Sequence, residues 1–361
     1  MTFIKWVVVI IAIIVFGGCS MNKQIVAQGV NEAPNVDNYE NGRFHNHQKV
    51  EPNSFKKTLG ILGRYITEKR TNITPKKPIA IKSVTAKMLN SLANNTVHVI
   101  KLGHSSVLLK VHGEYWLLDP VFSERASPFS FVGPKRFSKL PISISELPPI
   151  DKVLISHNHY DHLDKSAIKK LSAKTKQFYV PLGVDTDLVK WGVNENKIST
   201  FNWWQELQTE HALVAFTPTQ HFSGRGLSDA NNTLWGSWVI KTSQQSVYFS
   251  GDSGYFAGFK EIGNKYGPFD LTLIETGAYD KDWADIHMTP EQSVQAHIDL
   301  QGKTLVPIHN GTFDLAFHAW VDPFERVTAA SNINNVTLST PEFGQIFTPT
   351  DAAITHKWWK N

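Results

Sequence analysis

The chain has 361 residues, 41% apolar and 19% charged, with a formal net charge of +4. That composition builds a globular core and excludes a disordered chain, and the small net charge gives no concentrated basic face for nucleic acid. A single cysteine, Cys19, excludes an internal disulfide framework and a thiolate-rich zinc site, so any metal must be held by nitrogen and oxygen.

The first element is an export signal. Lys5 precedes an apolar run from Trp6 to Phe16, and Gly17, Gly18 and Cys19 close it. The run is shorter than the roughly 20 residues of a spanning helix. Residues 20 to about 50 are polar and read as a tether. Phe55 to Lys69 carries Leu59, Ile61, Leu62, Tyr65 and Ile66 at helical spacing, and Pro78 breaks the chain again.

From Val97 the pattern becomes short apolar runs. Val97–Leu102, Ser106–Val111 and Tyr115–Leu118 read as consecutive strands, with a turn at His112 and Gly113. Lys152–Ser156, Gln177–Val180, Ala212–Phe216, Ser237–Lys241, Ser246–Ser250, Leu271–Glu275 and Thr304–Ile308 read as seven more. Thr289, Pro290 and Gln292 form a helix start, Gly302 suits its exit, and Asp322, Pro323 and Glu325 repeat the start logic. Strands followed by mixed αβ units predict an α/β fold with two helix-covered sheets, an αββα four-layer sandwich.

The chemistry gathers behind one strand. Ser156-His157-Asn158-His159-Tyr160-Asp161-His162-Leu163-Asp164 follows the apolar Val153-Leu154-Ile155 directly. In a tight loop His157 and His159 can face one ion while Asp161 and His162 turn toward a neighbour, and imidazole with carboxylate suits zinc.

This motif resembles the metallo-β-lactamase superfamily, which implies further ligands at later strand ends. His221, Asp252 and His309 follow apolar runs in the required order. Gln220 to Arg225, Leu234 to Trp238, Gly251 to Tyr255, Gly277 to Tyr279 and His309 to Phe313 narrow the resemblance. They are similar to the N-acyl-phosphatidylethanolamine-hydrolysing phospholipase D subfamily and its bacterial relatives, some labelled outer membrane protein RomA. Leu102 to Ser106, Leu118 to Ser123, Ser127-Pro128 and Gly133 to Arg136 extend the likeness, which runs from about Asn41 to Phe347.

The resemblance implies two Zn²⁺ per chain. His157, His159 and His221 would hold the first, Asp161, His162 and His309 the second, and Asp252 would bridge them. It implies hydrolysis of an N-acyl-phosphatidylethanolamine-like phosphodiester by a metal-bridging hydroxide, with Asp252, Asp161 and His287 as catalytic residues. Asp119 is expected to orient a metal histidine from behind, and His104 to line the site. Arg225 is open between a phosphate contact and a brace for the loop after His221, and Trp235 and Trp238 read as core. Glu275 and Thr276 depart from the mammalian enzyme, which has apolar residues there.

Cys19 resembles the lipidated cysteine of a bacterial lipoprotein. The organisation implied is a signal over 1–18, a tether and extension over 19–92, and a hydrolase domain over 93–350. The same likeness places the protein in the cell envelope, lipid-anchored at the outer membrane and facing the periplasm. The partners implied are a phospholipid or other phosphodiester substrate, the membrane, and a second copy in a homodimer, with no nucleic acid. A lactonase or cyclic-nucleotide phosphodiesterase of the same fold, and a non-catalytic surface lipoprotein, are the alternatives.

Overall fold

A computed structural model describes residues 37–50, 55–226, 228–351 and 353–360. Cys19 and the signal lie outside the described residues. Within the polar segment, β1 (Tyr39–Glu40) pairs with β2 (Arg43–Phe44). Phe44 is buried between the two large sheets. The helix expected from Phe55 is α1 (Phe55–Thr67). Its Tyr65 packs against Phe317, the ring centroids 4.4 Å apart and tilted by 40°, and donates to the Leu315 carbonyl.

After α2 (Ala86–Ser91) come β3 (Val97–Gly103), β4 (Ser106–Val111), β5 (Glu114–Leu118) and β6 (Ile150–Leu154). Val111 pairs with Glu114, so His112 and Gly113 close a two-residue hairpin with φ of 47° and 92°. That is the left-handed pair that the strand twist demands. Then follow α3 (Lys165–Leu171), β7 (Thr175–Pro181), α4 (Val184–Lys190), β8 (Ile198–Phe201), β9 (Glu206–Gln208), β10 (Leu213–Thr217), β11 (Ser237–Lys241) and β12 (Ser246–Phe249). The chain continues through α5 (Gly258–Tyr266), β13 (Phe269–Glu275), α6 (Pro290–Asp299), β14 (Gly302–Ile308), α7 (Asp322–Ile333), β15 (Thr337–Leu338) and β16 (Ile346–Phe347).

Two seven-stranded sheets result, ordered β16-β3-β4-β5-β6-β7-β8 and β15-β14-β13-β12-β11-β10-β9. One core cluster, including Trp116, Leu154, Phe216, Trp238 and Val306, lies between them. A second packs the first sheet against residues of α3 and α4, and a third packs the other sheet against α5, α6 and α7. This is the expected four-layer αββα sandwich. Packing extends on both sides of 93–350, since Trp358 and Trp359 are buried against Phe324 and Phe343.

The ten expected strands are present, and β1, β2, β8, β9, β15 and β16 are added by pairing rather than by pattern. Glu206–Gln208, for example, is exposed throughout. The start of α6 is a capping box: Thr289 accepts from the Gln292 N–H, and the Gln292 side chain accepts from the Thr289 N–H. The start of α7 differs from expectation. Val321 is the cap, without a side-chain bond. Asp322 is already helical, its carboxylate engaged by the Tyr279 hydroxyl and near Arg326. A carboxylate committed to those partners is unavailable for capping.

Candidate metal centre

Every residue of the expected constellation lies at a strand end on one edge of the sandwich. The loop 156–164 leaves β6, His221 follows β10, Asp252 follows β12, and His309 follows β14. Close approach of two of these loops depends on Gly251. Its φ is 56°, and a Cβ there would lie 2.6 Å from the Ser156 Cβ. Only a residue without a side chain lets the Asp252 loop lie against the start of the His157 loop.

Three imidazole nitrogens converge first. His157 Nε2 is 2.9 Å from His159 Nδ1, which is 3.2 Å from His221 Nε2. Neighbours fix two of the tautomers. The Ser156 hydroxyl donates to Asp119 Oδ2 at 2.6 Å, so its oxygen accepts from His157 Nδ1 at 2.9 Å. His221 Nδ1 donates to the Ile286 carbonyl at 3.0 Å. Both rings therefore turn the Nε2 lone pair into the cluster. Burial drives His159 and His221 down to about 3, and His157 also falls, so all three are neutral. Lone pairs this close repel one another unless a proton or a cation lies between them.

The second group holds Asp161, His162, His309 and His104. Asp161 Oδ2 is 3.2 Å from His309 Nε2, 3.7 Å from His162 Nε2 and 3.0 Å from His104 Nε2. His162 Nδ1 donates to Asp119 Oδ2 at 2.7 Å, so in the neutral, metal-binding form of the ring Nε2 is the acceptor. That Nε2 and Asp252 Oδ1 are 3.1 Å apart, and both are buried without a hydrogen-bond partner. Two buried acceptors facing each other mark a cation position.

Asp252 joins the groups. Its Oδ2 lies 3.8 Å from His157 Nε2, 3.9 Å from His221 Nε2 and 3.0 Å from His309 Nε2, while Oδ1 faces His162. Burial alone would raise its pKa, but positive charge on His162 and His309 holds it well below the carboxylate range. Asp252 and Asp161 raise the pKa of both rings against burial, so protons stand there where a metal cation would. Nitrogen and carboxylate donors in two touching sets, with acceptors left unpaired, fit two borderline or hard divalent cations.

The remaining expectations sort by contact. Asp119 is fully buried and holds His162 Nδ1, the Ser156 N–H and the Ser156 hydroxyl. His104 lines the second group, its ring 4.1 Å from that of His309. His287 lies beside His221 and His309, at ring separations of 5.1 and 5.5 Å. Its Nδ1 is hydrogen-bonded to Glu275 Oε1. Glu275 is wholly buried and also accepts from the Ser253 N–H at 2.5 Å. Burial and the Asp252 charge push its carboxyl above the usual range.

Arg225 braces the loop. It donates to the Asn158 and Leu163 carbonyls at 2.6 and 2.7 Å and stacks over Tyr160. Trp235 and Trp238 are fully buried. Sequence reasoning missed Ser156 as the link from His157 to Asp119, and missed Asn46. The Asn46 amide holds the His221 main chain, and sequence carries no signal for a contact across 175 residues.

A model of the β-lactamase superfamily domain matches residues 115–310. An uncharacterised protein of Mycobacterium tuberculosis is 45% identical over 72% of this chain and 70% of its own. The N-acyl-phosphatidylethanolamine-hydrolyzing phospholipase D 1 of Caenorhabditis elegans is 34% identical over 69% of this chain and 75% of its own. Among solved structures, the metallo hydrolase Igni18 of Ignicoccus hospitalis superposes with a TM-score of 0.54 at 23% identity, over 70% of this chain and 98% of that one.

Proposed function

The chain belongs to the metallo-β-lactamase superfamily and is a metal-dependent hydrolase, and from that premise we propose that it is a di-zinc phospholipase D-type phosphodiesterase. The observation that carries the two-metal reading is Asp252, whose carboxylate lies against both histidine groups at once. The worm relative named for N-acyl-phosphatidylethanolamine supports the substrate class.

In this reading His157, His159 and His221 would hold one cation, Asp161, His162 and His309 would hold the other, and Asp252 would serve both. Two cations so held supply Lewis acidity toward phosphoryl oxygens and lower the pKa of water. The chain's own contribution is position and proton control. Asp119 fixes the tautomer of His162 directly and that of His157 through Ser156. A neutral Glu275 carboxyl donates to His287 Nδ1 and leaves the ring hydrogen on Nε2. That nitrogen then donates to the phosphoryl group or its leaving oxygen. Water adds to phosphorus as the P–O bond to the ethanolamide breaks. The leaving oxygen takes the His287 Nε2 proton, Nδ1 takes the Glu275 proton, and the proton shed by water restores Glu275, giving phosphatidic acid and an N-acylethanolamine.

The organisation proposed with it is a signal over 1–18, lipidation at Cys19 and a hydrolase domain over 93–350. It places the enzyme on the envelope membrane where its substrate lies, with a homodimer as a further proposal.

Metal-loaded protein is offered N-acyl-phosphatidylethanolamine vesicles, a sugar-phosphate lactone and a cyclic nucleotide, with Asp252→Asn as control. Turnover of the lipid, lost in the variant, is expected. An untouched lipid beside turnover of either other substrate sinks the phospholipase reading.

A further inference from the structure

The main chain of His221 is held by a residue from the far N-terminal arm. Asn46 Nδ2 donates to the His221 carbonyl at 2.7 Å, and the His221 N–H donates to Asn46 Oδ1 at 3.1 Å. One side-chain amide thus satisfies both backbone groups of His221, as a neighbouring strand would. Among the described residues, no other group pairs with either of them. The Trp235 indole donates to the same Oδ1 at 3.2 Å and orients the amide.

The arm that delivers Asn46 is built onto the body. Phe44 is buried in the core between the sheets, and its N–H donates to the Asn231 carbonyl at 2.9 Å. The His45 N–H closes back on Asn38 at 2.8 Å. His47 stacks on Trp203 at 4.8 Å. Asn46 therefore sits between two docked neighbours, and its amide arrives with little freedom left to lose.

His221 lies outside any strand, one residue past the single bridge that Gln220 makes with Gly254, so no ladder pairs its own backbone groups. Its ring is anchored on one side by the bond from Nδ1 to Ile286. With the main chain free to shift, that single bond would not hold Nε2 against His157 and His159. We propose that Asn46 is a positioning residue for His221, and that the 38–47 arm thereby sets the affinity of the first cation position. The proposal rests on His221 being a metal ligand. It makes the arm, which follows the proposed anchor in sequence, part of the metal centre.

Full-length protein is stripped of metal and titrated with Zn²⁺ against a competing chelator, and with Co²⁺ to read its visible bands. Four chains are compared: parent, Asn46→Ala, Asn46→Asp and His47→Ala. Groups that support metal ligands typically change affinity about 10- to 100-fold. Asn46→Ala is expected to weaken one of the two positions by that factor, to shift its Co²⁺ bands, and to speed amide exchange over residues 219–226 in the metal-free protein. Asn46→Asp keeps the acceptor and loses the donor, so its affinity falls between the two, and it serves if the alanine variant does not fold. His47→Ala, which removes the stacking on Trp203 and no bond to His221, stays within about twofold.

Parent-like affinity in both Asn46 variants overturns the proposal, as does an equal loss in His47→Ala, which would assign the effect to arm docking in general. A His221→Ala chain separates the two failures. If it binds metal like the parent, the ligand reading is wrong. If it loses a cation while the Asn46 variants do not, only the role of Asn46 fails.

Discussion

Asp119 Oδ2 accepts from His162 Nδ1 at 2.7 Å, and the same oxygen accepts from the Ser156 hydroxyl at 2.6 Å. One buried carboxylate thus fixes a histidine in each half of the centre, because the Ser156 oxygen in turn accepts from His157. Asp119→Ala removes both constraints and leaves His162 Nδ1 unpaired. Zinc affinity is expected to fall about 10- to 100-fold in competitive titration. Asp119→Asn, which keeps one acceptor, is expected to lie between. Parent-like affinity in Asp119→Ala would remove this residue from the account.

In the proposed reading His287 and Glu275 act as a unit against the substrate, although with Asp252 and His309 they also form a group of donors close enough to hold a cation. His287→Gln is expected to lower kcat by about 10²–10⁴-fold, the usual range for a lost proton donor. Glu275→Gln keeps a hydrogen-bonding amide and is expected to lose less. Both variants should retain the parent metal content. Loss of metal in His287→Gln would instead make that ring a ligand.

Gly251→Ala tests the close approach of the two loops. The added Cβ meets Ser156 at 2.6 Å on a backbone with φ of 56°. Left-handed strain of about 1–2 kcal/mol and overpacking of about 1–3 kcal/mol are expected together. Chemical denaturation should show the stability loss, and zinc binding should weaken with it. A neutral substitution would mean the loops tolerate separation.

Away from the centre, burial of His297 drives its pKa down to about 4, and its Nδ1 lies 2.7 Å from the Thr272 hydroxyl. The unfolded chain takes up this proton near the usual pKa of about 6.5, and the folded one does not. Unfolded protein therefore binds more protons between about pH 6.5 and 4, and stability falls as pH falls through that window, at up to about 1.4 kcal/mol per unit from this residue. His297→Gln removes that contribution. Its unfolding free energy should depend less steeply on pH than the parent's over the same range, under identical metal conditions. Identical slopes would contradict the assignment.

The sequence was most legible where residues act at short range. His157 to Asp164 lie within one loop behind an apolar strand, so spacing alone exposed the cluster. His221, Asp252 and His309 became visible because each closes a strand whose apolar run is readable. The four-layer order followed from strands succeeded by αβ units. Positions supported across the chain were not legible. β9 is exposed and exists because β10 offers it an edge. Asn46 reads as one polar residue in a polar stretch, and only folding brings it to His221. Asp322 looked like a cap because its neighbours fit that pattern, whereas Tyr279 claims its carboxylate. The Glu275–His287 pair is twelve residues apart in sequence and joins a strand end to a loop, a contact no periodicity announces.

The most direct test is the number of metal ions per folded chain, measured by elemental analysis after reconstitution with zinc and removal of excess. Two donor sets sharing Asp252 predict two zinc ions per parent chain, and fewer in an Asp252→Ala chain that remains folded. A parent chain that keeps less than about one ion, or an Asp252→Ala chain that keeps two, would contradict the shared dinuclear centre.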